Sequence, residues 1–313
     1  MSKKESRFSW AKDKVLTADD FNIEDAVALI EDFIFSSSLT LIYSAPKQGK
    51  TWLAYAIAKY ISNSEDIEEI HYLDMDNSIS TLKERNVHKN LLEEADNIFY
   101  ETRSSIGMEP LEYLKMIADS AGRANYNGVL FILDTTKDFV DTEKPTPSKE
   151  FMRCCVKMRD AGATIIVLHH ATKNKKQISG DQIFINTPDN VYSMKQIKKS
   201  ESVIDYELTV THARGAVKDC KWSVDTKSLE LREYNPVKSG LSVEEQKYVE
   251  LAIKRLKEVK DGLSMSALVE SMGLGRTDRT GRRLVKELTN IYWRKEELSR
   301  NKHLYYLLGE SND

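Results

Sequence analysis

Leu39-Thr40-Leu41-Ile42-Tyr43-Ser44-Ala45-Pro46-Lys47-Gln48-Gly49-Lys50-Thr51 is the stretch on which the reading of this chain turns. Leu39 to Tyr43 read as a buried strand, and Lys50-Thr51 opens a helix expected to run to about Ser62. Where a strand feeds a tight loop that ends in a helix N-terminus, the loop's N–H groups converge on a space suited to phosphate oxygens. Lys50 is then placed to reach the β- and γ-phosphates of ATP, and the Thr51 hydroxyl to ligate Mg²⁺. Ser44, Ala45, Pro46, Lys47, Gln48, Gly49, Lys50, Thr51 and Trp52 form the expected ATP-binding set. The pattern G-x-x-x-x-G-K-[ST] is met except at its first position. Ser44 stands there, so the backbone must be one that serine can hold. The competing reading is a chance Gly-Lys-Thr in a turn, and the flanking strand and helix argue against it.

The second half of such a site is an acidic residue ending another buried strand. Val129-Leu130-Phe131-Ile132-Leu133-Asp134 is an apolar run ending in one carboxylate, about 85 residues beyond the loop. Open α/β sheets bind ligands at the carboxyl ends of their strands, so Asp134 is the expected Mg²⁺ partner. Strands at Ile70–Leu73, Asn97–Glu101, Gly128–Asp134 and Ala163–Leu168 alternate with helical patterns at Ser78–Ala95, Leu111–Gly122 and Lys149–Ala161. This alternation implies an α/β core with a mainly parallel sheet. Apolar residues at helical spacing predict a helix over 22–35. After His170, alternating runs at Asn190–Ile197, Ser202–Thr211 and Lys221–Glu233 predict a β-hairpin extension. The expected division is a core over 1–235, a linker over 236–240 and a small domain over 241–313. In that last part three helical patterns precede two short alternating runs, the outline of a winged helix.

Bulk composition narrows the class without naming a partner. The chain has 313 residues, 41% hydrophobic and 30% charged, with a net charge of −3, ordinary for a water-soluble domain pair. Apolar runs of about five residues are far short of the roughly 20 needed to cross a bilayer, so no membrane partner is expected. The start Met1-Ser2-Lys3-Lys4-Glu5 lacks the apolar core of a secretory signal. Cys154, Cys155 and Cys220 form neither a disulfide framework nor a metal-ligand spacing, consistent with a reducing cytoplasm. Positive charge is clustered instead: six lysines against two aspartates over 171–200, and nine Lys/Arg against four Asp/Glu over 276–302. Local basic patches on a near-neutral chain suit a nucleic acid gripped at defined places, although each also reads as a solvated face.

With these residues in view, the segment from about Leu39 to Lys218 resembles the RecA-like ATPases of the RepA type, the ring-forming replicative helicases of plasmids and phages. Besides the loop and Asp134, the resemblance rests on Tyr72-Leu73-Asp74-Met75-Asp76-Asn77 with Leu82-Lys83-Glu84-Arg85, and on Ile166-Val167-Leu168-His169-His170-Ala171-Thr172-Lys173. It implies that Asp76 takes the place of the glutamate that activates the attacking water, one methylene shorter, with Asp74 as rival. It implies a γ-phosphate sensor at His170. A metal site at the paired histidines lacks acidic or Cys partners at ligand spacing. In His212-Ala213-Arg214-Gly215, Arg214 falls where the family places an arginine that enters the neighbouring subunit's site; a surface strand arginine is the alternative. The implied assembly is a homo-oligomer, a hexamer in the family.

The resemblance also directs the loops over 135–148 and 172–182 towards the centre of a ring. Lys173, Lys175 and Lys176 would follow the backbone of single-stranded DNA there, with Phe139 offering a stacking surface or packing beneath its loop. In the C-terminal part Arg279, Arg282, Arg283 and Lys286 occupy a recognition-helix position that suits duplex DNA or a docking protein. Three functions follow: an ATP-driven DNA helicase or translocase, a loader or replication regulator that uses ATP as an assembly switch, and a DNA-binding regulator with a degenerate nucleotide pocket.

Overall fold

The computed structural model describes residues 10, 26–121, 125–172, 178–236, 238–259, 261–299 and 302–308. Along the chain run β1 (Ala28–Ile30), β2 (Ile34–Phe35), β3 (Leu39–Ser44), α1 (Lys50–Ile61), β4 (Glu69–Asp74) and α2 (Ile79–Glu84). A π-helical turn at His88–Leu92 leads to β5 (Ile98–Thr102), α3 (Arg103–Ile106), α4 (Pro110–Ser120), β6 (Val129–Asp134), α5 (Thr136–Phe139) and α6 (Pro145–Asp160). Then follow β7 (Thr164–His170), α7 (Ile183–Asn186), β8 (Asn190–Lys199), β9 (Val203–Ala213), β10 (Cys220–Asp225) and β11 (Leu231–Glu233). The last part holds α8 (Val243–Glu258), α9 (Met265–Ser271), α10 (Arg279–Glu287), β12 (Trp293–Ser299) and β13 (Lys302–Leu307).

Nine strands form one mixed sheet in the order β11-β10-β9-β8-β3-β7-β6-β4-β5. From β8 to β5 neighbouring strands are parallel, and β9 to β11 add an antiparallel meander at one side. The parallel strands are apolar on both faces because helices cover both. Along β3 and β6 successive residues divide between two cores: Ile42, Leu130 and Ile132 pack with Ala54 and Ile57 of α1, whereas Leu41, Phe131 and Leu133 pack with Leu114 of α4 and Phe151 of α6. The period of two thus sets which side chain meets which helix layer.

Residues 26–36 correct the helix expected over 22–35, of which 22–25 lie outside the described residues. They form a hairpin, β1–β2, with Ile30 opposite Ile34 and Ala28 opposite Phe35. Asp32 adopts a left-handed φ of 57° at the turn. Residues four apart face one another across so tight a turn much as they do on a helix, so Leu29, Ile30, Phe33 and Ile34 mimic helical spacing. All four are buried against α1 or the meander. Ser36 closes the hairpin by accepting from Val27 N–H at its Oγ, 2.8 Å.

The C-terminal helices and the β12–β13 hairpin enclose a separate core of Val249, Leu256, Leu268, Leu284, Trp293 and Tyr305. Ser242 starts α8 with a reciprocal cap to Glu245, and Asp278 caps α10 by accepting from Gly281 N–H at 2.8 Å. Gly281 lets α10 approach α9 closely, since a Cβ there would lie 2.6 Å from Val269 Cγ1. The connection is held to the meander by Ser239 Oγ donating to buried Asp205 at 2.5 Å and Val243 N–H donating to Asp225 at 3.2 Å. Among the described residues no helix is long and apolar enough to cross a membrane.

Candidate nucleotide site

Strand register brings the singled-out residues to one edge of the sheet. Ser44 at the end of β3 lies opposite His170 at the end of β7, and Asp134 ending β6 lies opposite Asp74 ending β4. All four are at the carboxyl ends of parallel strands, the edge at which open α/β sheets bind ligands.

Ser44 is the last residue of β3, with no positive φ, so serine sits there without strain. The left-handed residues of the loop over 44–49 are Lys47 (φ 63°) and Gly49 (φ 85°). Gly49 could be nothing larger: a Cβ would lie 2.5 Å from Tyr206 Oη, and that buried phenol donates to the Gly49 carbonyl at 2.8 Å. Gln48 Oε1 accepts from Gln196 N–H at 3.1 Å, fixing the other side of the loop to β8. Gly49→Ala is therefore expected to add a collision to a strained φ and cost about 1–3 kcal/mol. A melting curve and an ATP titration of that variant check this, with both the midpoint and the affinity falling.

Helix α1 opens with no side-chain cap and no acidic residue in its first turn, leaving its positive end to face the crevice. Lys50 is 6% exposed. Its Nζ lies 3.3 Å from Ser44 Oγ, 3.4 Å from the Ser44 carbonyl and 3.4 Å from His170 Nδ1. Burial lowers its pKa to about 8, against the opposing pull of Asp134. His170 is lowered to about 4, by burial first and then by Lys50 and Lys137, so it is neutral near pH 7. With Nδ1 accepting from Lys50, its hydrogen resides on Nε2, which is buried and has no partner. His169 points to the opposite side, where Nε2 donates to the Ser179 carbonyl at 2.7 Å and Nδ1 accepts from Thr136 at 2.5 Å. The adjacent histidines thus divide between the crevice and the loops over 135–148 and 172–182.

Asp134 is 1% exposed, and burial raises its pKa to about 7 with help from the charge of Asp74; the Thr51 and Tyr72 hydroxyls and Lys50 act the other way. Its Oδ2 accepts from Tyr72 Oη at 3.1 Å, whereas Oδ1 is buried with no hydrogen-bond partner. An acceptor orphaned beside an ammonium and a threonine hydroxyl fits a divalent cation completed by phosphate oxygens and water, the usual coordination of Mg²⁺.

Asp74 and Asp76, alternatives in the sequence, are separated by their surroundings. Asp74 is fully buried and accepts from the Asp76 and Asn77 N–H groups at 3.1 and 3.0 Å. Asp76 is exposed beyond the turn, with its carboxylate 3.5 Å from Lys137 Nζ. Of the two, Asp76 is the one whose carboxylate reaches solvent, with Lys137 as its partner.

Other sequence candidates are distributed differently. Arg214 follows β9, where Ala213 pairs with Asn190 opposite Thr40, so it stands at the amino edge of the parallel strands. There it donates to the Asn186 carbonyl at 2.7 Å and lies 3.8 Å from Asp189. It is on the far edge from this chain's own loop and takes no part in this chain's own crevice. Trp52 turns away from the phosphate space to pack edge-on against Tyr55 and beneath the Arg85 guanidinium. Phe139 is not a stacking surface: it is 6% exposed and packs against Phe151. Lys173, Lys175 and Lys176 lie outside the described residues. Arg279, Arg282 and Lys286 are exposed along α10, while Arg283 is engaged by Glu245 and Glu287. Set against known proteins, the chain matches no family and no curated sequence.

Proposed function

We propose that this chain is a P-loop ATPase with a RecA-like core and a winged-helix domain, which turns over ATP in a ring and moves along single-stranded DNA. The observation that carries the reading is the buried Lys50 ammonium beside Ser44 and His170, at the sheet edge that also holds the unpartnered Asp134 oxygen. One ammonium, a free helix N-terminus, a neutral imidazole N–H and a cation-ready carboxylate together match the charge of a triphosphate tail. Mg²⁺, held through Thr51 and Asp134, would neutralise phosphate charge. Lys50 and the loop amides would orient the γ-phosphate, His170 Nε2–H would donate to one of its oxygens, and Asp76 would accept the proton of the attacking water.

Arg214 at the opposite edge supports a head-to-tail ring, because a heterologous contact brings the amino edge of one copy to the crevice of the next. Lys137 supports a link to nucleic acid: it is exposed on α5, the short helix after β6, and already pairs with an anion, Asp76. That pair, with the short reach of Asp76, also favours the second reading, a loader or replication regulator whose slow hydrolysis times assembly.

Steady-state ATP hydrolysis with and without a single-stranded oligonucleotide, combined with mass measurements, tests the proposal. The expected result is hydrolysis stimulated tenfold or more as a ring forms, by analogy with transition-state groups supplied between subunits. Hydrolysis indifferent to DNA, in a ring that separates no strands, would move the conclusion to the switch. No hydrolysis and no ATP affinity would end both.

A further inference from the structure

We propose that Asp74 is a positioning residue for hydrolysis, holding the turn that presents Asp76 and joining it to the helix that begins at the phosphate loop. The inference rests on the ATPase reading above. Asp74 is 0% exposed at the end of β4. Its Oδ1 accepts from Asp76 N–H at 3.1 Å, Asn77 N–H at 3.0 Å and Asn77 Nδ2 at 3.1 Å. Its Oδ2 accepts from Asn77 Nδ2 at 3.0 Å, Tyr100 Oη at 2.6 Å and Tyr55 Oη at 3.3 Å. One carboxylate therefore closes the 74–77 turn with one oxygen and anchors it to α1 and β5 with the other.

The seam continues to the cation side. Tyr72 stacks on Tyr100, with ring centres 4.9 Å apart and planes within 7°, and donates to Asp134 Oδ2 at 3.1 Å. Burial pushes all three phenols above their ordinary pKa, so they remain donors wherever the protein is folded. Tyr55 lies on α1, whose first residues are Lys50 and Thr51. Base turn and phosphate helix are thus cross-linked by hydrogen bonds to buried Asp74, and the cation carboxylate joins them through Tyr72 stacked on Tyr100, an arrangement that rigidifies. Such a seam suits a side chain that must act on a water at a fixed distance, because a misplacement of about 1 Å can cost about 10²-fold.

Asp74→Asn, Asp76→Asn and their double variant test this, with Tyr100→Phe as a milder probe that keeps the carboxylate. Asparagine replaces one acceptor by an NH₂ facing groups that already donate, which loosens the turn without removing volume. The expected result for Asp74→Asn is a fall in kcat of roughly 30- to 100-fold, with KM and the Kd for ATP changed less than about threefold. The double variant should be no slower than Asp76→Asn alone, since the two act as one unit. Tyr100→Phe should lose roughly 3- to 10-fold in kcat at unchanged Kd, which keeps the test decisive if Asp74→Asn fails to fold. A wild-type kcat retained in Asp74→Asn or Tyr100→Phe, while Asp76→Asn is inactive, overturns this inference and spares the ATPase reading. So does an equal loss in kcat and affinity, which marks a merely structural cap. Absence of hydrolysis in the wild type overturns both.

Discussion

Lys50→Ala is expected to lower kcat/KM for ATP by about 10²- to 10³-fold, the scale set by removing one preorganised donor to developing charge. The ammonium is within 3.4 Å of Ser44 and His170, so it has one position rather than a range. The loss should not come from unfolding. Burial holds the Lys50 pKa down at about 8, so the empty fold disfavours the charged group that water would stabilise. Removing it relieves that cost and offsets the lost methylene packing, and the melting midpoint is expected to stay within about 5 °C. Mixing gives a sharper result. Arg214→Ala alone should also be inactive, by about 10³- to 10⁵-fold if its guanidinium completes a neighbour's site. In an equimolar mixture with Lys50→Ala, about a quarter of the interfaces in a random ring join an intact loop to an intact arginine, and activity should reappear. If each variant is inactive and the mixture stays inactive, Arg214 is a surface residue tied to Asn186 and Asp189, and the ring argument loses its main support.

The loop over 44–51 was legible because its chemistry is contiguous: strand, turn glycine, lysine and threonine are chain neighbours, and nothing distant is needed to place them. Asp134 was legible for a related reason. A six-residue apolar run ending in one carboxylate states its own burial and direction, and the register opposite Asp74 follows once neighbouring strands are parallel. The opposite holds for the seam behind the site. Tyr55, Tyr72, Tyr100 and Asp74 come from a helix and two strands, and no spacing in the chain joins them; each tyrosine alone reads as an apolar core residue with a polar tip. Tyr206 beneath Gly49 was hidden in the same way, since the contact exists only because β9 folds back beside β8. The hairpin at 28–35 misleads from a different cause. Its turn pairs residues four apart, so a periodicity test answers helix although the left-handed Asp32 makes a helix impossible there. At Phe139 the sequence leaves a stacking surface and a packed ring both open, and the second holds: Lys137 beside it is exposed, and one helical turn of α5 is enough to bury the ring.

Asp134→Asn is expected to abolish Mg²⁺-dependent hydrolysis while making the empty protein more stable at neutral and alkaline pH. The sign follows from the direction of the shift. The folded-state pKa of Asp134, about 7, lies above the ordinary 3.8, so between these values the folded chain binds more protons than the unfolded one. Stability from this group therefore falls as pH climbs through that window and levels off above about 7. Asparagine does not titrate, and His169 and His170 are common to both proteins; Lys50 loses the pull of Asp134 in the variant, so its pKa falls further, and because a depressed lysine adds stability as pH rises this change has the same sign. The gain in unfolding free energy at pH 8 should exceed that at pH 5 by about 2 kcal/mol, reading each pKa unit as about 1.4 kcal/mol and discounting for relaxation around the new amide. Saturating Mg²⁺ and a slowly hydrolysed ATP analogue should raise the wild-type midpoint, because ligand binding to the folded state alone stabilises it, and should do far less for the variant. Denaturant titrations at the two pH values, with and without ligand, check all of this on one pair of proteins. A variant that is less stable at both pH values by the same amount would mean that the Asp134 carboxylate serves the fold through Tyr72, and its unpartnered oxygen would no longer argue for a cation.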